Sequence, residues 1–401
     1  MLKKLFSLAA CAALCICLCF TASANEELSV SDYVTTPAWA QSTQTVADAS
    51  KLNLGGKSIM LVEETTGRVL YERDADVKMP PASITKIMTL LLTMEAIEDG
   101  KFSLDTIATC SAHAASMGGS QIWLKEGEQM SVDDIVKAVC IKSANDAAVV
   151  LAELVGGSEE VFVSMMNERA KELGMTNTTF KNASGLDADG HLSTARDIAT
   201  MSRELMRHDK IFEYTKIWMD TLRGGTTELV NTNKLIRFYK GATGLKTGTT
   251  NGAGSCVSAT AERDGLSLIA VVMGFPNSDT RNAAAKKLLD FGFANYQVIQ
   301  PKVSEDIPKE IKVTGAVCES VKIKSAAPPS ILTEKGGENK IETRITVPET
   351  LKAPIGAGQK IGQAQIFLNG NLSGEYEILT AEAAEELTFL RAFLDILKVI
   401  F

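Results

Sequence analysis

The sequence predicts an α+β fold: an antiparallel sheet with an inserted helical cluster, then a small all-β domain, then a C-terminal amphipathic helix. Three observations carry this reading. Strand-like runs near residue 60 and between residues 244 and 274 enclose a stretch whose apolar residues recur at helical spacing. A strand–helices–strand order favours a sheet covered by helices. Beyond Pro301 the texture changes to short Val, Ile and Thr runs broken by Pro and Gly, and beyond Glu385 to a one-sided helical pattern.

The elements follow in order. Lys57–Glu63 and Arg68–Glu72 read as strands joined by the turn Thr65-Thr66-Gly67, a hairpin. Pro80-Pro81 halts the chain and prepares helix entry. A helix spans Ser83–Asp99, with Ile84, Ile87, Met88, Leu91, Leu92 and Ala96 near a 3.6 period and Gly100 as its stop. Ser131-Val132-Asp133-Asp134 opens another helix like a capping box with Asp in place of Glu. Ser158–Leu173 is a third, stopped by Gly174. Strands return at Gly244–Thr249, Ser255–Ala261 and Ser267–Gly274, and a helix follows over 279–296. The small domain carries strand runs at Lys309–Val313, Val321–Ile323, Lys340–Val347 and Ala364–Leu368. The expected boundaries are a signal peptide at 1–24, a linker at 25–51, a main domain at 52–298, the β-domain at 299–380 and the helix at 381–401.

The two ends speak of location. Met1-Leu2-Lys3-Lys4, the apolar run Leu5–Phe20 and the small residues Ala22-Ser23-Ala24 together read as a secretory signal peptide. The competing readings are an uncleaved anchor and a lipoprotein-type box at Leu8-Ala9-Ala10-Cys11. At the other end Arg391, Asp395 and Lys398 fall on one face of an otherwise apolar helix. The stretch is shorter than the roughly 20 apolar residues of a span. It reads as an interfacial anchor to a membrane surface, with a core-packing or oligomerising helix as the alternative. The expected location is therefore the extracytoplasmic face of a membrane.

With 41 basic against 49 acidic residues the net charge is −8, which argues against nucleic acid as a partner. Of the eight cysteines, Cys110, Cys140, Cys256 and Cys318 lie outside the signal. They show no metal-ligand spacing. They read as free, buried thiols, with a Cys140–Cys256 pair as the alternative. HExxH, Gly-x-Ser-x-Gly and a phosphate loop are all missing from the sequence, so no metal or cofactor is expected.

Three short motifs carry chemistry. Ser83-Ile84-Thr85-Lys86 sets a hydroxyl and an amine on one helix face, with Cβ atoms about 5–6 Å apart. Serine needs a neighbouring base, and lysine serves once burial or nearby positive charge lowers its pKa. Ser143-Ala144-Asn145 offers a hydroxyl and a carboxamide on a turn after an apolar helix. Lys246-Thr247-Gly248, followed by Thr249, puts a cation, hydroxyls and a close-approach glycine on a strand. Each motif is weak alone. In this order they form the set shared by class A β-lactamases and penicillin-binding proteins.

With Pro81–Lys86, Ser143–Ala148, His191–Asp197 and Gly244–Thr249, the chain resembles the low-molecular-mass penicillin-binding proteins, the serine-type D-Ala-D-Ala carboxypeptidases. The likeness runs from about Ser58 to the C-terminal helix. It implies a β-lactamase/transpeptidase-like main domain, a peptidoglycan stem peptide as substrate and β-lactam antibiotics as acylating mimics. It also implies roles. Ser83 is the nucleophile, Lys86 the base, and Ser143 relays a proton to the departing D-alanine. Asn145 binds peptide and orients Lys86. Lys246, with Thr247 or Thr249, holds the terminal carboxylate, beside Gly248. The N–H groups of Ser83 and Thr249 form the oxyanion hole. Thr249 is a departure, since some members carry His there. Arg281 is expected to support the Lys-Thr-Gly strand or the carboxylate. His191 is read as structural, and His113 and His208 as surface or satisfied core.

Three alternatives stand at this stage. A class A-like β-lactamase needs a deacylating Glu, and Met175–Asp187 has none. A non-catalytic cell-wall-binding module would share the fold. Transpeptidation or endopeptidase action would use the same residues.

Overall fold

The computed structural model describes residues 52–389, apart from position 338, together with Arg391. The expected signal peptide and linker lie outside the described residues, as do positions 390 and 392–401 of the expected C-terminal helix. The described start of that helix corrects the expectation: 381–388 are not helical, because Ala384 and Glu386 bridge to Ile355 and Ala316 of the β-domain.

The hairpin forms as expected, with β1 at Ser58–Glu63 and β2 at Val69–Arg73. The chain then enters a short 3-10 turn at Ala82–Thr85, and α1 begins only at Lys86, running to Glu98. The predicted single helix from Ser83 is thus two pieces. Pro81 has no N–H to give, and Ala82 turns left-handed at φ +50°, so the first turn winds tightly before α-geometry begins. In α1 Ile87, Met88, Leu90 and Leu91 are at most 1% exposed. A helix apolar on nearly every side belongs in a core, and each such side chain contributes about 1.5–3 kcal/mol by burial.

Around α1 pack α2 (Val132–Ile141), α3 (Asn145–Gly156), α4 (Glu159–Glu172) and α5 (Ala195–Met206). The hydroxyls of Ser131, Ser158 and Thr194 cap α2, α4 and α5 by accepting main-chain N–H groups. The capping box at Ser131 is half formed: its Oγ accepts from Asp134 N at 3.2 Å, while the Asp134 carboxylate pairs with Lys137 at 3.5 Å.

The strands β3 (Ala242–Thr250), β4 (Gly254–Arg263) and β5 (Leu266–Phe275) close the sheet, in the order β2-β1-β5-β4-β3. All pairings are antiparallel, so the helical cluster is inserted between the second and third strands. One sheet face packs on the helical cluster. The other packs on α6 (Ser278–Asn295). The strand carrying Lys246 lies at the sheet edge, beside the 3-10 turn that carries Ser83.

β6 (Tyr296–Ile299) straddles the expected boundary and pairs with β9 (Ile331–Glu334). The small domain adds β7 (Glu310–Thr314), β8 (Ser320–Ser325), β10 (Ile341–Thr346), β11 (Thr350–Lys352), β12 (Lys360–Leu368) and β13 (Asn371–Thr380). These six form one sheet in the order β10-β12-β13-β8-β7-β11. β13 escaped the sequence reading because only Tyr376, Ile378 and Thr380 face the core, at its end.

All four described cysteines are free. Cys110, Cys140 and Cys256 are buried as expected, and the Cys140–Cys256 pair does not form. Cys318 corrects the expectation: it is exposed, in the tight loop between β7 and β8, where Ala316 is the residue that packs inward. No helix among the described residues is long and apolar enough to cross a membrane.

Candidate active site

Ser83 sits in the 3-10 turn that precedes α1. Ala82, just before it, is held in the left-handed region at φ +50°. Such backbone persists where its surroundings over-determine it, and two glycines press on this turn. A Cβ on Gly185, itself at φ +85°, would meet the Ala82 carbonyl oxygen at 1.9 Å. A Cβ on Gly248 would meet the Pro81 carbonyl at 2.9 Å and the Ala82 Cβ at 3.0 Å.

One helical turn on, Lys86 is wholly buried. Its Nζ lies 3.1 Å from Ser83 Oγ and 2.6 Å from both Asn145 Oδ1 and the Ser184 carbonyl. Burial, and then the positive charge of Lys246, hold its pKa well below the usual lysine range, against an opposing pull from Asp146. The amine is therefore disposed to be neutral and to accept a proton.

Ser143 occupies the sharp turn between α2 and α3, at φ +62° and 4% exposed. The turn delivers Asn145 to the first position of α3. Asn145 bridges: its Oδ1 accepts from Lys86, its Nδ2 donates to Gly118 O at 2.6 Å, and its N–H donates to Ser120 O at 2.7 Å.

Lys246 reaches the same centre from β3. It is 1% exposed, donates to the Thr247 carbonyl at 3.1 Å, and has its pKa pushed down to about 7, mainly by burial. Thr247 gives its hydroxyl to Thr232 at 2.8 Å, which leaves Thr249, exposed on the same edge, as the freer donor. Arg281 lies behind the sheet. It is 3% exposed and donates to the Cys256 carbonyl at 3.3 Å and to Asn282. Cys256 is paired with Gly248 across β4 and β3, so Arg281 braces the strand from behind.

Several participants lay outside the motifs. The Ser184 carbonyl belongs to a loop tied by Glu159 to Ala183 N at 2.9 Å and by Thr89 to Ala183 O at 2.7 Å. Buried Asp146 accepts the N–H groups of Ile122 at 3.2 Å and Leu124 at 3.0 Å. His191 is structural, as expected: it takes the Lys181 N–H on Nδ1 and lies 2.9 Å from Thr85 Oγ1 through Nε2, with burial lowering its pKa to about 4. His113 and His208 pair with Glu159 at 2.6 Å and Glu98 at 2.8 Å. A backbone carbonyl leaves no trace in a motif. Asp146, adjoining Asn145, was the one visible hint.

A buried lysine beside a serine hydroxyl, under a cationic edge strand, defines a serine hydrolase of the acyl-enzyme kind. The comparisons with known proteins agree. The family model described as D-alanyl-D-alanine carboxypeptidase matches residues 22–277, and that described as penicillin-binding protein 5, C-terminal domain, matches residues 296–386. The chain belongs to the D-alanyl-D-alanine carboxypeptidase family. It is 41% identical over 345 residues to D-alanyl-D-alanine carboxypeptidase DacF of Bacillus subtilis, covering 85% of this chain and 89% of that one. It is 34% identical over 342 residues to DacC of Escherichia coli, covering 83% and 85%. Among solved structures, penicillin-binding protein 5 of Haemophilus influenzae superposes with a TM-score of 0.68 at 28% identity, covering 83% of this chain and 98% of that one. Ampicillin-bound penicillin-binding protein D2 of Listeria monocytogenes gives 0.56 at 35% identity, covering 60% and 99%.

Proposed function

We propose that this chain removes the terminal D-alanine from peptidoglycan stem pentapeptides through a Ser83 acyl-enzyme, and that β-lactams acylate the same serine. The observation that carries the reading is the buried Lys86 amine 3.1 Å from Ser83 Oγ. The neutral amine takes the hydroxyl proton as Ser83 attacks the carbonyl carbon between the two D-alanines. The main-chain N–H groups of Ser83 and Thr249 receive the oxyanion. Losing one such donor costs about 10²–10³ in rate in other enzymes. The C–N bond then breaks, and Ser143 passes the proton to the departing amine. Water, giving its proton to Lys86, releases the shortened peptide. Asn145 holds the peptide and the lysine, and Lys246 with Thr249 holds the terminal carboxylate, backed by Thr247, Gly248 and Arg281.

The test is intact-mass analysis after penicillin treatment with mapping of the adduct, beside D-alanine release from a Lys-D-Ala-D-Ala peptide. Both disappear in Ser83→Ala. If that variant releases D-alanine as fast as wild type, the nucleophile is elsewhere. Rapid β-lactam turnover with no D-alanine release would instead favour a β-lactamase. That outcome is not expected, because Met175–Asp187 lacks the Glu such an enzyme needs.

Export by the N-terminal signal and attachment by the C-terminal helix complete the proposal, placing the enzyme at the extracytoplasmic face of the membrane beside its polymeric substrate. A protein ending at Glu382 is expected to lose membrane partition. Undiminished partition overturns the anchor.

A further inference from the structure

The stretch 118–124, which packs against Asn145 and Asp146, carries a side chain that the mechanism does not use. Gly118 and Ser120 give their carbonyls to Asn145. Two residues further on, the N–H groups of Ile122 and Leu124 are captured by the carboxylate of Asp146, the residue next to Asn145. Arg223 donates to the Ile122 carbonyl at 3.0 Å and is itself matched by Glu128 at 2.7 Å. Between these clamps Ile122 and Leu124 turn inward, 2% and 5% exposed, while Trp123 turns outward, 69% exposed at φ +56°.

A left-handed backbone is an outlier for so bulky a residue, and it persists only where the surroundings enforce it. The enforcement here is the Asp146 carboxylate. Burial of Ile122 and Leu124 in the core adds to it, while the indole itself is mostly in solvent. The turn fixes the backbone of an exposed aromatic residue a few residues from the contacts with Asn145. Three residues span at most about 11 Å, so Trp123 lies within that distance of Ser120, whose carbonyl touches the Asn145 N–H.

We propose that Trp123 is a specificity-determining platform for one substrate side chain: that of the stem-peptide residue just before the D-Ala-D-Ala pair, a long aliphatic chain ending in an ammonium group. The proposal rests on the carboxypeptidase reading. Reach favours this residue, which is bonded directly to the pair, over the sugars at the far end of the stem. Chemistry favours it too. A long amine side chain lays its methylenes on apolar surface and keeps its head in water, and tryptophan offers the best ring face to a cation. Arg223, which braces the turn from another part of the chain, is paired with Glu128.

The experiment uses the full chain and three tripeptides ending in D-Ala-D-Ala, whose first residue is lysine, Nε-acetyl-lysine or alanine. D-alanine release is measured as kcat/KM. Wild type is expected to prefer the lysine peptide about two- to fivefold over its acetylated form, the range of an exposed cation–π contact, and further over the alanine peptide. In Trp123→Ala the lysine preference collapses, and Trp123→Phe retains part of it. Trp123→Gly relieves the left-handed backbone, so its fold is secure, and it is expected to match Trp123→Ala. A preference that survives in Trp123→Ala and Trp123→Gly, or none in wild type, overturns the platform. No release from any peptide by wild type overturns the carboxypeptidase reading instead.

Discussion

Lys86 Nζ donates to the main-chain carbonyl of Ser184 at 2.6 Å, across 98 residues of sequence. The base of the proposed reaction is therefore aimed by a main-chain carbonyl as closely as by the Asn145 side chain.

Gly185→Ala is expected to damage both stability and chemistry. The new methyl would stand 1.9 Å from the Ala82 carbonyl, on backbone at φ +85°. The strain costs about 2 kcal/mol or more, read as a lowered urea midpoint. The displaced loop also withdraws the Ser184 carbonyl, so penicillin acylation slows at least tenfold. Wild-type acylation in a folded Gly185→Ala protein would contradict this account of Lys86.

The pH profile of kcat/KM should be a bell. Lys86 must be neutral to act, so activity rises as pH passes upward through its depressed pKa. Lys246 must be charged to hold a carboxylate, and with its pKa near 7 that charge is lost as pH rises further. The alkaline limb of kcat/KM reports the free enzyme. Lys246→Arg is expected to move this limb up by about two units or more, because a guanidinium stays charged past pH 12. A limb that does not move in the arginine variant assigns it to another group.

His191 makes stability acid-sensitive. Its pKa falls from 6.5 to about 4 in the folded chain. Between those values the unfolded chain carries the extra proton, so stability rises with pH across the window and is lost as pH falls through it. At about 1.36 kcal/mol per unit, the loss approaches 3 kcal/mol near pH 4. His191→Gln removes this component. Urea unfolding at pH 7 and pH 4.5 should show wild type losing about 2–3 kcal/mol more than the variant. Equal losses would assign the acid sensitivity to other groups.

Much of the architecture was legible in the sequence, for physical reasons. Apolar runs bounded by turn residues marked β1, β3, β4 and β5, which are buried along most of their length, and the apolar period of α1 marked the central helix. Ser83, Lys86 and Asn145 were legible as a group because an acyl-enzyme centre needs those side chains, and the fold does bring them into contact. The split of the helix at Lys86 was not legible: local sterics at Pro81 and Ala82 override an apolar period that runs straight through. β6 was hidden at the end of α6, where a strand of four residues lacks a period of its own. The Ser184 carbonyl was invisible because its chemistry is the backbone's, shared by every residue. The loss of the Thr247 hydroxyl to Thr232 depended on a tertiary neighbour that strand patterning does not name.

Gly248 rests on the Pro81 carbonyl with room for a hydrogen and nothing larger. The floor of the cleft is thus a fixed gauge, set by two stretches of main chain in contact. Selection cannot widen it one side chain at a time to keep a drug out while admitting the peptide, because the first methyl group added at that point drives apart the serine and the cation that both ligands require. Discrimination between drug and peptide is left to the rim, where side chains project into solvent and can change without disturbing what lies beneath.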